Sequence, residues 1–222
     1  MDHSLCDLYS QLAQLAAKHG AEKLVLFGSR AREDYKQTSD IDLAIYGMAE
    51  DHRGYFGWEV ENLPTLLQFD LVFVSPSTSS ALLENIKKDG VVLMDRAMDK
   101  RNKLKAALSR LDESLAEYAV SSTAVVRDGV IQRFEFCTEL AWKATREYLI
   151  DQGYTAVNSP KGVMRQAYAD GVITDEAGWI KLLDDRNLTS HMYDDNVASQ
   201  VFEHICTQYI ELFHALYKRL SE

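Results

Sequence analysis

The sequence predicts an α+β protein in two parts: a small mixed strand-and-helix domain, then an all-helical antiparallel bundle. Three observations predict it. Up to about Asp95, short apolar runs alternate with helical patterns, the order expected of a sheet with helices packed on it. Beyond Asp95, long stretches repeat apolar residues at helical spacing and none reads as a strand. The charge shifts at the same place: residues 1–95 hold 8 basic and 15 acidic side chains, and residues 96–222 hold 16 and 19. The domain boundaries that follow are 1–96 and 97–222.

The elements of the first part can be justified in order. Leu5, Leu8, Leu12 and Leu15 recur at helical spacing, and His19-Gly20 makes a stop. Lys23–Phe27 is a buried-strand pattern. Gly28-Ser29 then opens a short helical stretch, Ala31–Tyr35. Asp40–Tyr46 alternates as a second strand, and His52–Leu67 reads as a helix interrupted near Pro64. Phe69–Val74 is a third strand, Ser75-Pro76-Ser77-Thr78 a turn and helix cap, and Val91–Met94 a short last strand after Asp89-Gly90.

In the second part, Leu104, Leu108, Leu111, Leu115 and Tyr118 make a stripe over Asp99–Tyr118. Val130–Ile150 is a second amphipathic stretch. Ser159-Pro160 opens a third helix through Tyr168, with proline where a first turn accepts it. Thr174-Asp175-Glu176 starts a fourth, and Asp195–Leu220 forms a fifth. About 125 residues of this kind make a bundle.

Composition excludes several classes. Apolar residues are 46% and charged residues 26% of the 222-residue chain, which is ordinary for a water-soluble domain. No apolar run approaches the roughly 20 residues that span a bilayer, and the amphipathic N-terminus does not read as a signal peptide. A cytoplasmic protein is expected. Cys6, Cys137 and Cys206 form no CxxC pair and read as buried small hydrophobes in a reducing setting. A net charge of −10 argues against nucleic-acid binding through bulk charge, but leaves room for a local basic site. His3, His19, His52, His204 and His214 show no metal-ligand spacing.

The sharpest chemical pattern is Gly28-Ser29-Arg30, then Asp40-Ile41-Asp42, then Asp70 in the next apolar strand. A glycine after a strand lets backbone N–H groups approach phosphate oxygens, and Ser29 adds a hydroxyl. On a strand, residues two apart share a face, so Asp40 and Asp42 project together. A third carboxylate from Asp70 would repel them unless a cation intervened. Mg²⁺ bound by a few carboxylates and substrate phosphates suits nucleotidyl transfer. Arg30 and Arg32 either offset phosphate charge or are solvated surface residues. This spacing resembles the minimal nucleotidyltransferases of the DNA polymerase β superfamily over residues 20–95. The resemblance implies that Gly28, Ser29 and Arg30 hold a nucleoside triphosphate (ATP), that Asp40, Asp42 and Asp70 bind Mg²⁺, and that Asp70 orients or deprotonates the attacking hydroxyl.

The second pattern is Arg186-Asn187-Leu188-Thr189-Ser190-His191-Met192-Tyr193. Five residues turn a straight helix through about 500°, leaving Arg186 and His191 about 140° apart. They converge only if the helix ends or distorts between them, or across a dimer. On spacing alone, a capping or core role suits His191. The stretch is similar, however, to the Rx4HxY motif of HEPN domains. Arg133–Lys143 (RFEFCTELAWK), Ser159-Pro160-Lys161 and Trp179 resemble the subgroup once called nucleotidyltransferase substrate-binding proteins, over about residues 98–222. That resemblance implies a metal-independent endoribonuclease that pairs into a homodimer or higher homo-oligomer. His191 would move a proton at the ribose 2′-OH or the 5′-leaving oxygen, and Arg186 would stabilise charge on the phosphate. Asp184, Asp185, Asp194 and Asp195 flank the motif and would repel RNA unless turned away or paired.

In related systems the two families are neighbouring proteins, a HEPN toxin and a nucleotidyltransferase antitoxin that transfers AMP to the motif tyrosine. The resemblance thus implies AMP transfer from ATP to Tyr193, on the same or a partner HEPN domain, silencing a ribonuclease centred on Arg186 and His191. A second reading keeps the transferase and makes the bundle a holder for a small hydroxyl-bearing acceptor, with Trp142, Trp179, Tyr148 and Tyr168 lining its pocket; the same aromatics also fit a bundle core. A non-enzymatic nucleotide-binding scaffold is argued against by the intact glycine-serine and carboxylate pattern.

Overall fold

The computed structural model of the chain describes residues 3–154, 158–189 and 195–222. It divides into two compact units, Met1–Arg96 and Ala97–Glu222. The fold class is α+β, as the sequence predicts.

In the first unit the order is α1 (His3–Lys18), β1 (Lys23–Phe27), α2 (Gly28–Ala31), β2 (Ile41–Tyr46), α3 (Glu50–Glu61), β3 (Phe69–Phe73), α4 (Ser80–Asp89) and β4 (Val91–Asp95). The sheet order is β3-β2-β1-β4. β1 is antiparallel to both β2 and β4, while β2 and β3 are parallel and joined through α3, the kind of crossover that parallel neighbours need. Alternation sorts the side chains. Leu24, Leu26, Ile41, Leu43 and Ile45 pack with Leu8, Leu12 and Ala16 of α1 and with Phe56 and Val60 of α3. Val25 and Ala44 face the other way, with Ile86 of α4. Asp42, two residues before Ala44, belongs to that second face.

Several boundaries in the first unit differ from expectation. β2 begins at Ile41, which leaves Asp40 just ahead of the strand. α2 occupies Gly28–Ala31 and not the expected Ala31–Tyr35. α3 ends at Glu61, before Pro64, because the residue ahead of a proline is pushed out of the helical region.

The second unit comprises α5 (Arg96–Val120), α6 (Ala124–Asp151), α7 (Pro160–Ala169), α8 (Glu176–Leu188), α9 (Asp195–His204), a π-helical turn (Ile205–Tyr209) and α10 (Ile210–Leu220). Three helices start on side-chain caps: Thr123, Ser159 and Asp175 accept from the backbone N–H groups of Val126, Gly162 and Gly178. One core runs through the bundle, from Leu104, Leu108 and Leu111 of α5 to Trp179 of α8 and Phe213 of α10. Phe134 stacks on Tyr209 at 5.6 Å, and Trp179 meets Phe213 edge-on at 5.6 Å. The single helix expected over Asp195–Leu220 is broken by the π turn.

The cysteine expectation holds for one residue of three. Cys137 is buried, and burial pushes its thiol pKa up to about 12. Cys6 and Cys206 are exposed. Cys6 lies two residues from the buried Leu8, about 200° around the helix, so helical spacing among leucines did not extend to it. Among the described residues, no helix is long and apolar enough to cross a membrane.

Candidate functional sites

β1 ends at Phe27 and the chain turns at once into α2. Gly28 makes that turn with φ +72°, and a Cβ there would stand 2.1 Å from Asp42 Oδ2. The position therefore needs glycine twice over, for its dihedral and for the close approach. Asp42 pairs in register with Phe27 on one side and with Asp70 on the other. Because β2 and β3 are parallel, the two carboxylates share a face. Burial first, then the charges of Asp70 and Asp40, hold the Asp42 carboxyl above the usual carboxylate range, while Arg32 and Arg30 pull it down. The structure thus brings Gly28, Asp42 and Asp70 together, with Asp40 close enough for its charge to be felt and Ser29 half-buried in the turn.

Arg30 is buried, at 4% exposure. Its Nε donates to the carbonyls of Ser39 (2.9 Å) and Asp40 (3.1 Å), and its Nη2 to those of Gln37 (3.2 Å) and Ser39 (2.6 Å). Its charge lowers the Tyr9 phenol pKa against the larger, opposite effect of burial, and it lies 4.8 Å from the centre of the Tyr35 ring. These donors are spent on the loop that delivers Asp40. Arg32 is exposed and pairs with Asp34 at 3.2 Å. Nothing in the sequence distinguishes the buried arginine from the exposed one two residues later.

The donor set suits a divalent cation: hard oxygen ligands, paired across two strands, with mutual repulsion that a cation would relieve. Among the described residues no three His, Cys, Asp or Glu side chains form a ready-made metal cage. Mg²⁺ does not require one, because it uses one or two carboxylates and takes further oxygens from substrate phosphates and water.

In the second unit, α8 runs to Leu188 and Thr189 follows as its cap. Thr189 is buried; its hydroxyl bonds the Arg186 carbonyl at 2.6 Å and the Glu135 carboxylate of α6. Arg186 is exposed on the last turn. His191 and Tyr193 lie outside the described residues. The acidic flank is neutralised where it is described: Asp184 pairs with Lys161 at 2.6 Å and Asp195 with Arg127 at 2.8 Å. Asp185, buried, accepts at one oxygen from Tyr209 (2.5 Å) and from His204 Nδ1 (2.6 Å); Asp194 lies outside the described residues.

Sequence reasoning gave His204 no role. It and Tyr209 are five residues apart, about 140° around an α-helix, whereas a π turn closes i to i+5. The π turn is what lets both reach one carboxylate, and helical periodicity carries no sign of it. Beside Arg186 lies a hollow of about 360 Å³ lined by Trp142, Lys161 and Asn187 among others. Trp142 is half-buried there, whereas Trp179 is core and Tyr168 is exposed.

Comparison with known proteins separates the same two regions. Residues 99–222 match the family model described as nucleotidyltransferase substrate binding protein like. Residues 10–99 match the polymerase β nucleotidyltransferase model. A Haemophilus influenzae protein named probable ribonuclease HepT is 31% identical over 120 residues, covering 47% of this chain and 80% of that protein. A solved H. influenzae structure, described as revealing the fold of a substrate binding domain of a nucleotidyltransferase, is 26% identical with TM-score 0.50, covering 55% of this chain and 99% of that one. A solved Thermus thermophilus protein is 33% identical with TM-score 0.49, covering 54% and 99%.

Proposed function

This chain belongs to the nucleotidyltransferase substrate-binding-protein-like family, with a polymerase β-type nucleotidyltransferase domain ahead of it, and from that premise we propose that it transfers AMP from ATP to Tyr193 of its own or a partner's second domain, silencing a ribonuclease there. The observation that carries the reading is the register of Asp42 against Asp70 at the Gly28 turn. In the transfer, the Tyr193 phenol oxygen forms a bond to the α-phosphorus of ATP, the bond from that phosphorus to the bridging oxygen breaks, and pyrophosphate leaves. Asp70 takes the phenol proton. Gly28 and Ser29 hold the triphosphate with backbone N–H groups and a hydroxyl. Arg30 acts one step back, fixing the loop that presents Asp40. Mg²⁺, held by Asp42 and Asp70 with Asp40, would supply the charge that offsets the phosphates and the carboxylates.

In the second domain, Arg186 would bind the scissile phosphate and His191 would move the proton. The exposed Arg186, with its described acidic neighbours paired, supports this, as does the likeness to a protein named probable ribonuclease. AMP on Tyr193 would add bulk and negative charge two residues from His191. Homo-oligomers through the second domain and a cytoplasmic setting belong to the same proposal. The family description favours a second reading, in which the acceptor is a small hydroxyl compound held in the bundle.

One experiment separates the two. The purified chain is incubated with Mg²⁺ and ATP labelled in the α-phosphate, and covalent label is mapped by mass spectrometry. Label on Tyr193 that is lost in Asp42→Ala is expected. Unlabelled protein that turns ATP over only when a small acceptor is added would replace the proposal with the second reading.

A further inference from the structure

The first unit carries a hollow that the proposed chemistry does not use. It has a volume of about 550 Å³ and is lined by residues of α1, β1, α2 and β4. Leu26 of that lining packs with α1 and α3, whereas Asp42 belongs to the α4 side of the sheet, so the hollow and the carboxylates lie on opposite faces. Leu5, Leu26 and Leu93 give apolar walls, and Tyr9, Arg30 and Glu33 supply polar groups. A mostly apolar hollow of this size with a few converging polar groups has the form of a small-molecule site.

Arg30 decides what fits. It is buried, and a buried charge ordinarily has a counter-charge. Among the described residues no carboxylate forms an ion pair with it. Its Nε and Nη2 are spent on the carbonyls of Gln37, Ser39 and Asp40, while Nη1 takes no part in those bonds. Tyr9 lies close enough for the Arg30 charge to act on its phenol, and among the described residues its hydroxyl has no acceptor. Glu33, also in the lining, holds φ 62°, the one positive φ of a non-glycine residue among those described. Such strained conformations cluster at ligand sites.

We propose that this hollow binds a small monocarboxylic acid with an apolar chain, its carboxylate on Arg30 Nη1 and the Tyr9 hydroxyl and its chain along Leu5, Leu26 and Leu93. Two donors match the two oxygens of a carboxylate, and charge-assisted hydrogen bonds of this kind are the strong ones. A phosphate monoester fits less well, because its second charge would find no cation and would face Glu33. The acid also acts across the sheet. Arg30 holds the loop that presents Asp40, so fixing its free edge restrains that loop. Acid and Mg²⁺-ATP should therefore strengthen each other's binding by the same factor; this coupling rests on the cation site of the proposed function, whereas the acid's own binding does not.

The test is isothermal calorimetry on the full chain with linear acids from butyrate to octanoate. Each added CH₂ should tighten binding about fourfold, and hexan-1-ol should bind about tenfold more weakly than hexanoate. Tyr9→Phe keeps the ring and removes the hydroxyl, and should weaken hexanoate about tenfold. Val91→Glu, in the lining and 46% exposed, should weaken it about fivefold by repulsion. Val92→Glu is 47% exposed, points to the opposite face of β4 and adds the same charge, so it should match the parent. All three variants should keep the melting temperature. Parent-like hexanoate binding in both Tyr9→Phe and Val91→Glu would overturn the site. So would alcohols that bind as tightly as acids, or no saturable binding of any acid. With Mg²⁺ and ATP present, the hexanoate Kd should fall about fivefold, the lower end of usual couplings. An unchanged Kd with Mg²⁺-ATP bound would overturn the coupling; failure of Mg²⁺-ATP to bind at all would sink the cation site and the coupling with it, and leave the acid's site standing.

Discussion

The two candidate sites treat their acidic side chains in opposite ways. In the first, Asp42 faces Asp70 across a parallel register, and Asp40 adds a third negative charge. In the second, Asp184, Asp185 and Asp195 each have a partner: Lys161, the His204–Tyr209 pair, and Arg127. Unrelieved repulsion makes the first site a place for a cation. Partnered acids leave the exposed Arg186 as a place for an anion. Charge totals alone would have shown an acidic protein throughout; the pairing decides what each surface attracts.

The largest effect should come from closing the gap on which the first site depends. In Gly28→Ala the new Cβ would lie 2.1 Å from Asp42 Oδ2 at φ +72°, so either the turn or the carboxylate must move. A misplacement of about 1 Å costs on the order of 10²-fold in rate, and turnover of labelled ATP should fall by about that much while the circular dichroism spectrum is kept. Wild-type turnover in this variant would show that the Asp42–Gly28 contact is not part of the chemistry, and the contrast between the units would lose its first half.

The second unit is tested through Asp185. Tyr209→Phe removes one of its two described donors and leaves a buried carboxylate under-satisfied, at a cost of about 1–3 kcal/mol, measurable by urea unfolding. Lys161→Ala should do less. It removes a cation from the hollow beside Arg186 and breaks an exposed ion pair worth about 0.2–1 kcal/mol, at most roughly a fivefold loss in RNA affinity. A stability loss with Lys161→Ala equal to that with Tyr209→Phe would mean that the acids are partnered for the fold and not for the surface.

Much of this arrangement was legible in the residues. The apolar pattern of Asp40–Tyr46 marked the strand, and the leucine stripes marked the bundle, because burial follows period. The glycine-serine turn and the aspartates were visible as a spacing. What spacing could not carry is direction. Arg30 and Arg32 look alike in the sequence, yet one is buried under loop carbonyls and the other is solvated. Cys6 sits among leucines but off their face. His204 and Tyr209 meet only because a π turn replaces an α turn, and a shift of hydrogen-bonding register within a helix leaves no mark on composition or hydrophobic period.

The smallest effect bears most directly on the difference between the units. A carboxyl whose folded-state pKa is raised resists ionisation in the fold, so its penalty is absent below the ordinary carboxylate value and complete above the raised one. Burial and the Asp70 and Asp40 charges raise Asp42 in this way. Asp42→Asn should therefore stabilise the first unit at neutral pH by about 0.2–1 kcal/mol, the scale of a like-charge pair across two strands, and the gain should vanish as pH falls through the carboxylate range. Thermal unfolding from acid to neutral pH measures both. Added Mg²⁺ should stabilise the parent more than the variant, because the variant has lost one of the charges that the ion relieves. If the asparagine variant were no more stable than the parent at neutral pH, the aspartates would not be in conflict, and the first site would have no need of a cation to reconcile them.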